Sequence, residues 1–257
     1  MKPFALALSI AFSLAIIVFA VLFGLLFFSG ELLESVYLAA IAAGLPILTL
    51  PGLVEILERK AARRALAAGE PTAILEYGGF QLRWQEMVLY GLLALLALDW
   101  ISTFIAALAA ATLSGGLDVM GEHLFEYSIF SALAINLPAL MVGGYFVGRW
   151  IGTRCARSGI LAVLLTLILV AAASVGLTAL MPGEASDLAF VRLNLIEFPF
   201  ILLCGLIGYW RGRKARWSQY LAYLLAVVPP EKRDIIVELA FAETRKAVAA
   251  AGGSQSV

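Results

Sequence analysis

Six stretches of this chain are apolar for long enough to cross a lipid bilayer as helices. They lie at about 4–28, 36–57, 86–113, 128–151, 159–181 and 189–210. A span needs roughly 20 mainly apolar residues, and backbone in lipid must satisfy its hydrogen bonds internally, as an α-helix does. Only 14% of the residues are charged, against about 25% in soluble domains. The sequence therefore predicts an all-α polytopic membrane protein with six transmembrane helices.

The first apolar stretch also resembles the core of a secretory signal peptide. Its apolar run is about twice the usual ~7–15 residues of such a core. We therefore expect it to remain as the first transmembrane helix.

The basic residues indicate how the helices thread the membrane. With the N-terminus in the cytoplasm, every Lys and Arg except Arg192, which is 17 of the 18, falls on the cytoplasmic side, as the positive-inside rule requires. The outer loops are instead acidic, with Glu31, Glu34, Asp118, Glu122, Glu126, Glu184 and Asp187. The predicted location is the cell (inner) membrane, with multiple passes and both termini cytoplasmic.

The sequence divides into a six-helix transmembrane domain at 1–210, a cytoplasmic or interfacial helical tail at 211–251, and disordered residues 252–257. A cytoplasmic insert, 58–85, interrupts the first of these. We expect the second helix to run on to Ala68 and to stop at Gly69. Beyond it, two alternating runs flank Gly78-Gly79, which predicts a small cytoplasmic β-hairpin that pairs Ala73 with Trp84.

The tail contains a C-terminal amphipathic helical pair. Its first helix is indicated by apolar residues at helical spacing, namely Trp217, Tyr220, Leu221, Leu224, Leu225 and Val228. Pro229-Pro230 ends that helix, and a second follows at about 231–250. We expect the first helix to lie in the inner membrane interface; docking against the hairpin or a partner protein is the alternative.

A few polar side chains interrupt the apolar stretches, and they are the candidate site. They are Asp99, Ser102, Thr103, Asn136, Asn194 and Glu197. A carboxylate at the bilayer centre costs at least about 2.5–3.5 kcal/mol, so these groups must face each other, protein interior or water. One hypothesis is a polar pathway in which Asp99 and Glu197 carry a proton or bind a small cation. The alternative is that both are protonated and hydrogen-bonded as packing contacts.

Small residues recur at four-residue spacing in two of the stretches. These helix-packing candidates are Gly144, Gly148, Gly152, Gly208 and Gly212. Such spacing lets two helix backbones approach closely in a membrane. The three stretches that run from outside to inside also each have a proline about ten residues in, at Pro46, Pro138 and Pro199, where a helix can kink.

The sequence contains no recognisable cofactor, metal or catalytic motif. The sole histidine, His123, lies in an outer loop, so paired haem ligands are excluded. There is no phosphate-binding GxxxxGK[ST] loop and no lysine inside a span. Cys155 and Cys204 lie near the cytoplasmic ends of different spans, where we expect reduced thiols.

The sequence favours a small transporter, channel or permease subunit with an intramembrane polar pathway. The alternative is a non-catalytic membrane scaffold or accessory subunit that binds a cytoplasmic partner, and a membrane enzyme of unrecognised type is the weakest interpretation. Expected partners are the lipid bilayer and anionic lipids at the basic cytoplasmic segments. A homo-oligomer or a cytoplasmic protein partner stays open, and no feature indicates nucleic acid.

Overall fold

The computed structural model describes residues 3–27, 39, 42–69, 84–113, 132–154, 159–180, 187–234 and 238. Within these ranges the regular structure is helical throughout, which confirms the all-α class. The six main helices are α1 (Pro3–Phe27), α2 (Leu50–Ala67), α3 (Trp84–Leu113), α4 (Leu137–Arg154), α5 (Gly159–Leu180) and α6 (Asp187–Val227). Residues 42–48 are also helical, a π turn (Ala132–Asn136) precedes α4, and a 3-10 turn (Pro230–Lys232) follows α6.

The end of α2 follows the glycine stop signal in the sequence. The helix finishes at Ala67, and Gly69 takes a φ of 81°, a left-handed conformation that glycine adopts without a Cβ clash. The Ala68 N–H donates to the Arg64 carbonyl at 3.0 Å, which satisfies one of the last carbonyls of the helix.

The predicted β-hairpin is wrong where the structure describes it. Trp84 and Gln85, the last residues of its second strand, are helical and begin α3. The pairing of Ala73 with Trp84 is therefore excluded, since Trp84 has helical backbone. The remainder of the hairpin, 70–83, lies outside the described residues. Trp84 and Gln85 fit the alternating pattern of a strand, but they are also directly followed by a long apolar stretch. That stretch forms α3, and the two residues adopt its helical conformation.

The last helix is longer than the sequence indicated. α6 is 41 residues long and extends past residue 210, where the transmembrane domain was expected to end and the tail to begin. The tail's first helix is therefore the C-terminal part of α6. A 3-10 turn follows Pro229 where the second helix was predicted to begin, and most of 235–251, with all of 252–257, lies outside the described residues.

The buried face of this C-terminal part also differs from the expected stripe. Leu221 and Leu225 are exposed, whereas Tyr223 and Val227 are buried. These side chains pack against the end of α2 in a second core, made of Ala62, Leu66, Tyr220, Tyr223, Leu224, Val227 and Val228. Arg63 Nη2 also donates to the Ala226 carbonyl at 3.1 Å. The tail segment thus docks on α2.

The three prolines singled out in the sequence lie in different backbone settings. The helix that contains Pro46 ends in a turn at Thr49, whose hydroxyl donates to the Pro46 carbonyl at 2.8 Å. The π turn stands directly before Pro138. Pro199 lies inside α6 without ending it. Because proline has no N–H, each position lacks one helical hydrogen bond.

The main core draws on all six helices, and α4 and α6 share the most extensive contact. Its fully buried side chains include Leu50, Val54, Met87, Leu95, Ile151 and Val163. The outside of the bundle is apolar as well, because exposed side chains include Ile16, Ile17, Leu25, Leu108, Phe146, Leu161 and Leu203. Soluble monomers rarely expose contiguous apolar patches larger than a few hundred Å².

Two helices in the described ranges are long and apolar enough to cross a membrane. They are the segments Pro3–Leu25, with a mean hydropathy of 2.8, and Trp84–Ala106, with 1.9. Only 17% and 33% of their most apolar windows are buried, whereas the core helix of a soluble protein would be mostly buried. By length and composition, these two helices are consistent with a membrane environment.

Candidate functional site

Polar side chains from α3 and from the π turn before α4 form a hydrogen-bonded cluster. Asn136 Nδ2 donates to Asp99 Oδ1 at 3.1 Å. The Ser102 hydroxyl lies 3.0 Å from the Asp99 backbone carbonyl and also reaches Asn136 Oδ1. Ser102 is buried and the other two are half-buried. The three side chains therefore satisfy one another inside a largely apolar bundle.

Local helix geometry explains why these side chains meet. Ser102 follows Asp99 by three residues, so both side chains project from one face of α3. Asn136 closes the π turn, and Pro138 stands two residues later. π turns inside helices frequently occur at functional sites, and here the turn holds Asn136 next to α3.

Glu197 of α6 lies within electrostatic range of Asp99, and we call these four residues the polar cluster: Asp99, Ser102, Asn136 and Glu197. Glu197 is only 2% exposed, and its Oε1 has no hydrogen-bond partner among the described residues. The negative charge of Asp99 acts on it electrostatically. A buried carboxylate oxygen without a partner is uncommon and calls for an explanation.

The other predicted pathway residues are placed differently. Thr103 is exposed on the surface of α3 and takes no part in the hydrogen bonds of the polar cluster that the structure describes. The side chains of Asn194 and Arg192 lie outside the described part of the chain, although their backbone belongs to α6. The structure thus joins three of the six candidate side chains by hydrogen bonds and leaves Glu197 buried within electrostatic range of Asp99.

The glycines lie where α4 and α6 touch backbone to backbone, in what we call the glycine seam. A Cβ on Gly148 would overlap the Gly205 carbonyl, and one on Gly144 would lie 3.1 Å from the Ile201 carbonyl oxygen. Gly152, Gly208 and Gly212 face backbone of the opposite helix in the same way. Only glycine permits this approach, which fixes Asn136 at one end of α4 relative to Glu197 on α6.

A buried ion pair closes the opposite end of the bundle. Arg154 Nη1 contacts both Glu58 carboxylate oxygens, at 2.9 and 2.8 Å, and joins α4 to α2. Glu58 is only 3% exposed. The Arg154 guanidinium also lies over the Trp150 ring, 5.3 Å from its centroid, and that ring packs against Tyr90.

Burial controls the ionisation of this pair. Desolvation raises the pKa of Glu58, and the Arg154 guanidinium beside it, by charge and hydrogen bond, opposes that rise. Burial likewise raises the pKa of Tyr223, which packs at the same place. Arg154 is therefore the group that makes an ionised Glu58 tolerable at this position.

Sequence reasoning missed the Glu58–Arg154 pair. The two residues are 96 positions apart, and each was counted only as part of a charged segment beside a span. One signal was available, because Glu58 stands just before Arg59 and Lys60 in an otherwise basic stretch. An acid at that position indicates a partner within the protein, but the sequence does not identify the partner.

No known protein family, curated protein or solved structure matches this chain. Within the described ranges, no group of three or more His, Cys, Asp or Glu side chains is placed to hold a metal ion. The chemistry of the site must therefore be argued from the polar cluster itself.

Proposed function

We propose that the chain is a multi-pass protein of the cell (inner) membrane, with six spans and both termini in the cytoplasm. The weakly buried apolar helices α1 and α3 support this, as does the apolar exterior of the bundle. The distribution of Lys and Arg supports the orientation. In this arrangement the Glu58–Arg154 pair lies at the cytoplasmic end, and the polar cluster lies within the bilayer.

We expect cysteine labelling to reveal this threading. With Cys155 and Cys204 replaced by serine and alanine, S114C should react with an impermeant thiol reagent in intact cells, because the 114–127 loop faces outward. The matched variant S158C lies in a predicted cytoplasmic loop and should react only after the cells are opened. Labelling of S114C only in opened cells would invert the arrangement.

Within that membrane placement, we propose a small transporter, channel or permease subunit whose pathway includes the polar cluster. The observation that carries the proposal is the buried Glu197, whose Oε1 lacks a partner among the described residues and lies near a second acid. An ionisable residue inside a membrane span is a functional candidate because of its energetic cost. Asp99 and Glu197 would carry a proton or a small cation.

The near-complete burial of Ser102 and Glu197 adds a requirement to this proposal. At 2% exposure each, neither side chain is open to water in the conformation shown. Transport therefore requires a second conformation in which the cluster meets water on one side. The structure then corresponds to a closed state.

A second candidate function is a membrane scaffold or accessory subunit. It is favoured by surface grooves at the proposed cytoplasmic end. One, of about 470 Å³, lies beside the second core and is lined by Arg63, Leu66, Ala67 and residues 225–230. Another, of about 620 Å³, is lined on α6 by Leu206, Ile207, Trp210, Arg211, Lys214 and Ala215. A cytoplasmic protein or a second copy of the chain could bind there.

The basic groove on α6 also suits the expected anionic lipids. Trp210 is 63% exposed, and Lys214 Nζ lies 5.2 Å from the centroid of its ring. Leu206 and Ile207 come before Trp210 in the sequence of α6, and Arg211 comes between Trp210 and Lys214. The side chains along this groove are thus apolar, then aromatic, then cationic. This order matches the acyl chains, the interface and the anionic headgroups of a membrane.

Ion flux into vesicles tests the transport proposal. The purified chain, reconstituted in liposomes, should conduct protons or monovalent cations when a gradient is applied. D99N and E197Q should reduce that flux to the level of empty vesicles, because each removes an ionisable group of the pathway. The control E231Q changes an exposed carboxylate in the 3-10 turn and should conduct like the wild type. Unchanged flux in both D99N and E197Q would refute the proposal and favour the scaffold.

A further inference from the structure

We propose that the ion taken by the polar cluster is a proton, that Glu197 Oε1 is the oxygen that binds it, and that Asp99 stays ionised beside it. This inference rests on the proposed transport function and specifies its ion. No other reactant is needed. The proton comes from water on the side to which the cluster opens, and the same proton leaves to water on the other side.

The hydrogen bonds assign the ionised role to Asp99. Its Oδ1 accepts a hydrogen bond from Asn136 Nδ2 at 3.1 Å. A donor aimed at a carboxylate stabilises the negative charge on it. Ser102 Oγ lies within hydrogen-bond distance of Asn136 Oδ1 and so holds the amide with its nitrogen turned toward Asp99. The amide and the hydroxyl thus form a support for one fixed negative charge.

Glu197 has no such support among the described residues. It is 2% exposed, and its Oε1 lacks a hydrogen-bond partner there. A second full negative charge would stand unsolvated beside Asp99, and burying an unpaired charge is among the most costly arrangements in a protein. Binding one proton removes that charge and gives the oxygen a hydrogen to donate. A nearby like charge adds to this preference, because it favours the neutral form of a carboxyl group.

The same geometry disfavours a metal cation. Hard cations such as Ca²⁺ and Mg²⁺ take roughly six or more oxygen ligands. In the cluster, Asn136 presents its nitrogen toward Asp99, and its oxygen lies against the Ser102 hydroxyl. The two carboxylates remain as charged ligands, and the described ranges contain no larger acidic group. Among the described residues, the site therefore has too few free oxygens for such a divalent ion.

Among the described residues, Asp99 on α3 is the charged group that acts on Glu197. The described residues of α4 and α5 add no other charge there. Arg192, five residues earlier on α6, has its side chain outside the described part. Proton binding at Glu197 is thus governed by its burial and by the charge of Asp99.

Infrared spectroscopy of the full-length protein tests this assignment independently of flux. A protonated carboxyl group has a C=O stretching band that is separate from the amide bands and shifts in D₂O. Wild-type protein in lipid should show such a band, which should disappear reversibly as the pH is raised. E197Q should lose the band, whereas E231Q should keep it. Exchanging K⁺ for Na⁺ at constant pH should leave it unchanged.

Four results would overturn the inference: no protonated carboxyl band near neutral pH, where exposed acids are ionised; a band that Na⁺ abolishes at constant pH; a band that D99N rather than E197Q removes; and a band that no pH titrates in the folded protein. The pH and salt series use wild-type protein, so they decide the outcome even if E197Q fails to fold. If the band behaves as expected and vesicles show no flux, proton binding stands and the transport proposal fails.

Discussion

Replacing Gly148 by leucine is expected to force α4 and α6 apart and to lower the free energy of unfolding by about 3 kcal/mol or more. Overpacking a core typically costs about 1–3 kcal/mol. Here the obstacle is the Gly205 backbone, which cannot rotate away as a side chain could. Because a Cβ alone already overlaps that carbonyl, G148A should destabilise too, by less than G148L. Thermal or denaturant unfolding in detergent measures both.

Gly176 provides the matched control. It lies in α5, it is exposed, and a Cβ there would meet nothing within 4 Å. G176L adds the same side chain to a helix of the same bundle, so its effect should stay within about 0.5 kcal/mol. If G148L and G176L unfold alike, the glycine seam does not hold α4 and α6 together.

Removing Arg154 is the second substitution expected to have a large effect. R154M keeps an apolar stem beside Trp150 and leaves Glu58 buried without its cation. Breaking a buried ion pair in this way costs about 3–5 kcal/mol. E58Q should cost less, because the remaining guanidinium still lies over the Trp150 ring. The double variant E58Q/R154M should recover most of the loss, since no buried charge then lacks a partner.

The cost of R154M should depend on pH in a defined direction. Burial raises the pKa of Glu58, and loss of Arg154 removes the interaction that lowers it. A group whose pKa is raised on folding destabilises the folded state increasingly as the pH rises through that folded pKa. The stability difference between R154M and wild type should therefore shrink as the pH is lowered and Glu58 binds a proton.

An exposed ion pair on α2, the helix that carries Glu58, is the control for R154M. Arg59 and Glu55 are i,i+4 partners at 2.5 Å, with side chains 42% and 46% exposed. Solvent screens such a pair, so R59M should cost about 0–1 kcal/mol. A loss in R154M no larger than that in R59M, or a loss independent of pH, would show that the buried pair contributes no more than a surface one.

Polar residues inside apolar stretches were the part of the sequence that best indicated the candidate site. Asp99, Asn136 and Glu197 stand out because lipid penalises polar groups. The structure joins Asn136 to Asp99 by a hydrogen bond and leaves Glu197 buried within electrostatic range of Asp99. Thr103 is exposed and does not join these residues, although it lies four residues from Asp99 on the same helix. Sequence spacing identifies a shared helix face, but it does not show which part of that face meets a neighbouring helix.

Contacts between distant parts of the sequence, and the length of α6, could not be predicted because they depend on how helices pack together. Glu58 and Arg154 meet because α2 and α4 converge, and no local pattern encodes that convergence. Basic residues such as Arg211 indicate where the membrane ends, yet they do not require the helix to end there. α6 therefore continues, and the second core against α2 stabilises its extension.

α6 can act as a lever. Glu197 and Leu224 are 27 residues apart on one helix, roughly 40 Å at 1.5 Å per residue, and the glycine seam lies between them. Backbone contact there holds the middle of α6 against α4, so any tilt of the helix would turn about that point. A swing that frees the Glu197 end must carry the Leu224 end the opposite way, against α2. In the proposed membrane arrangement, whatever clamps the tail from the cytoplasm would thereby restrain Glu197.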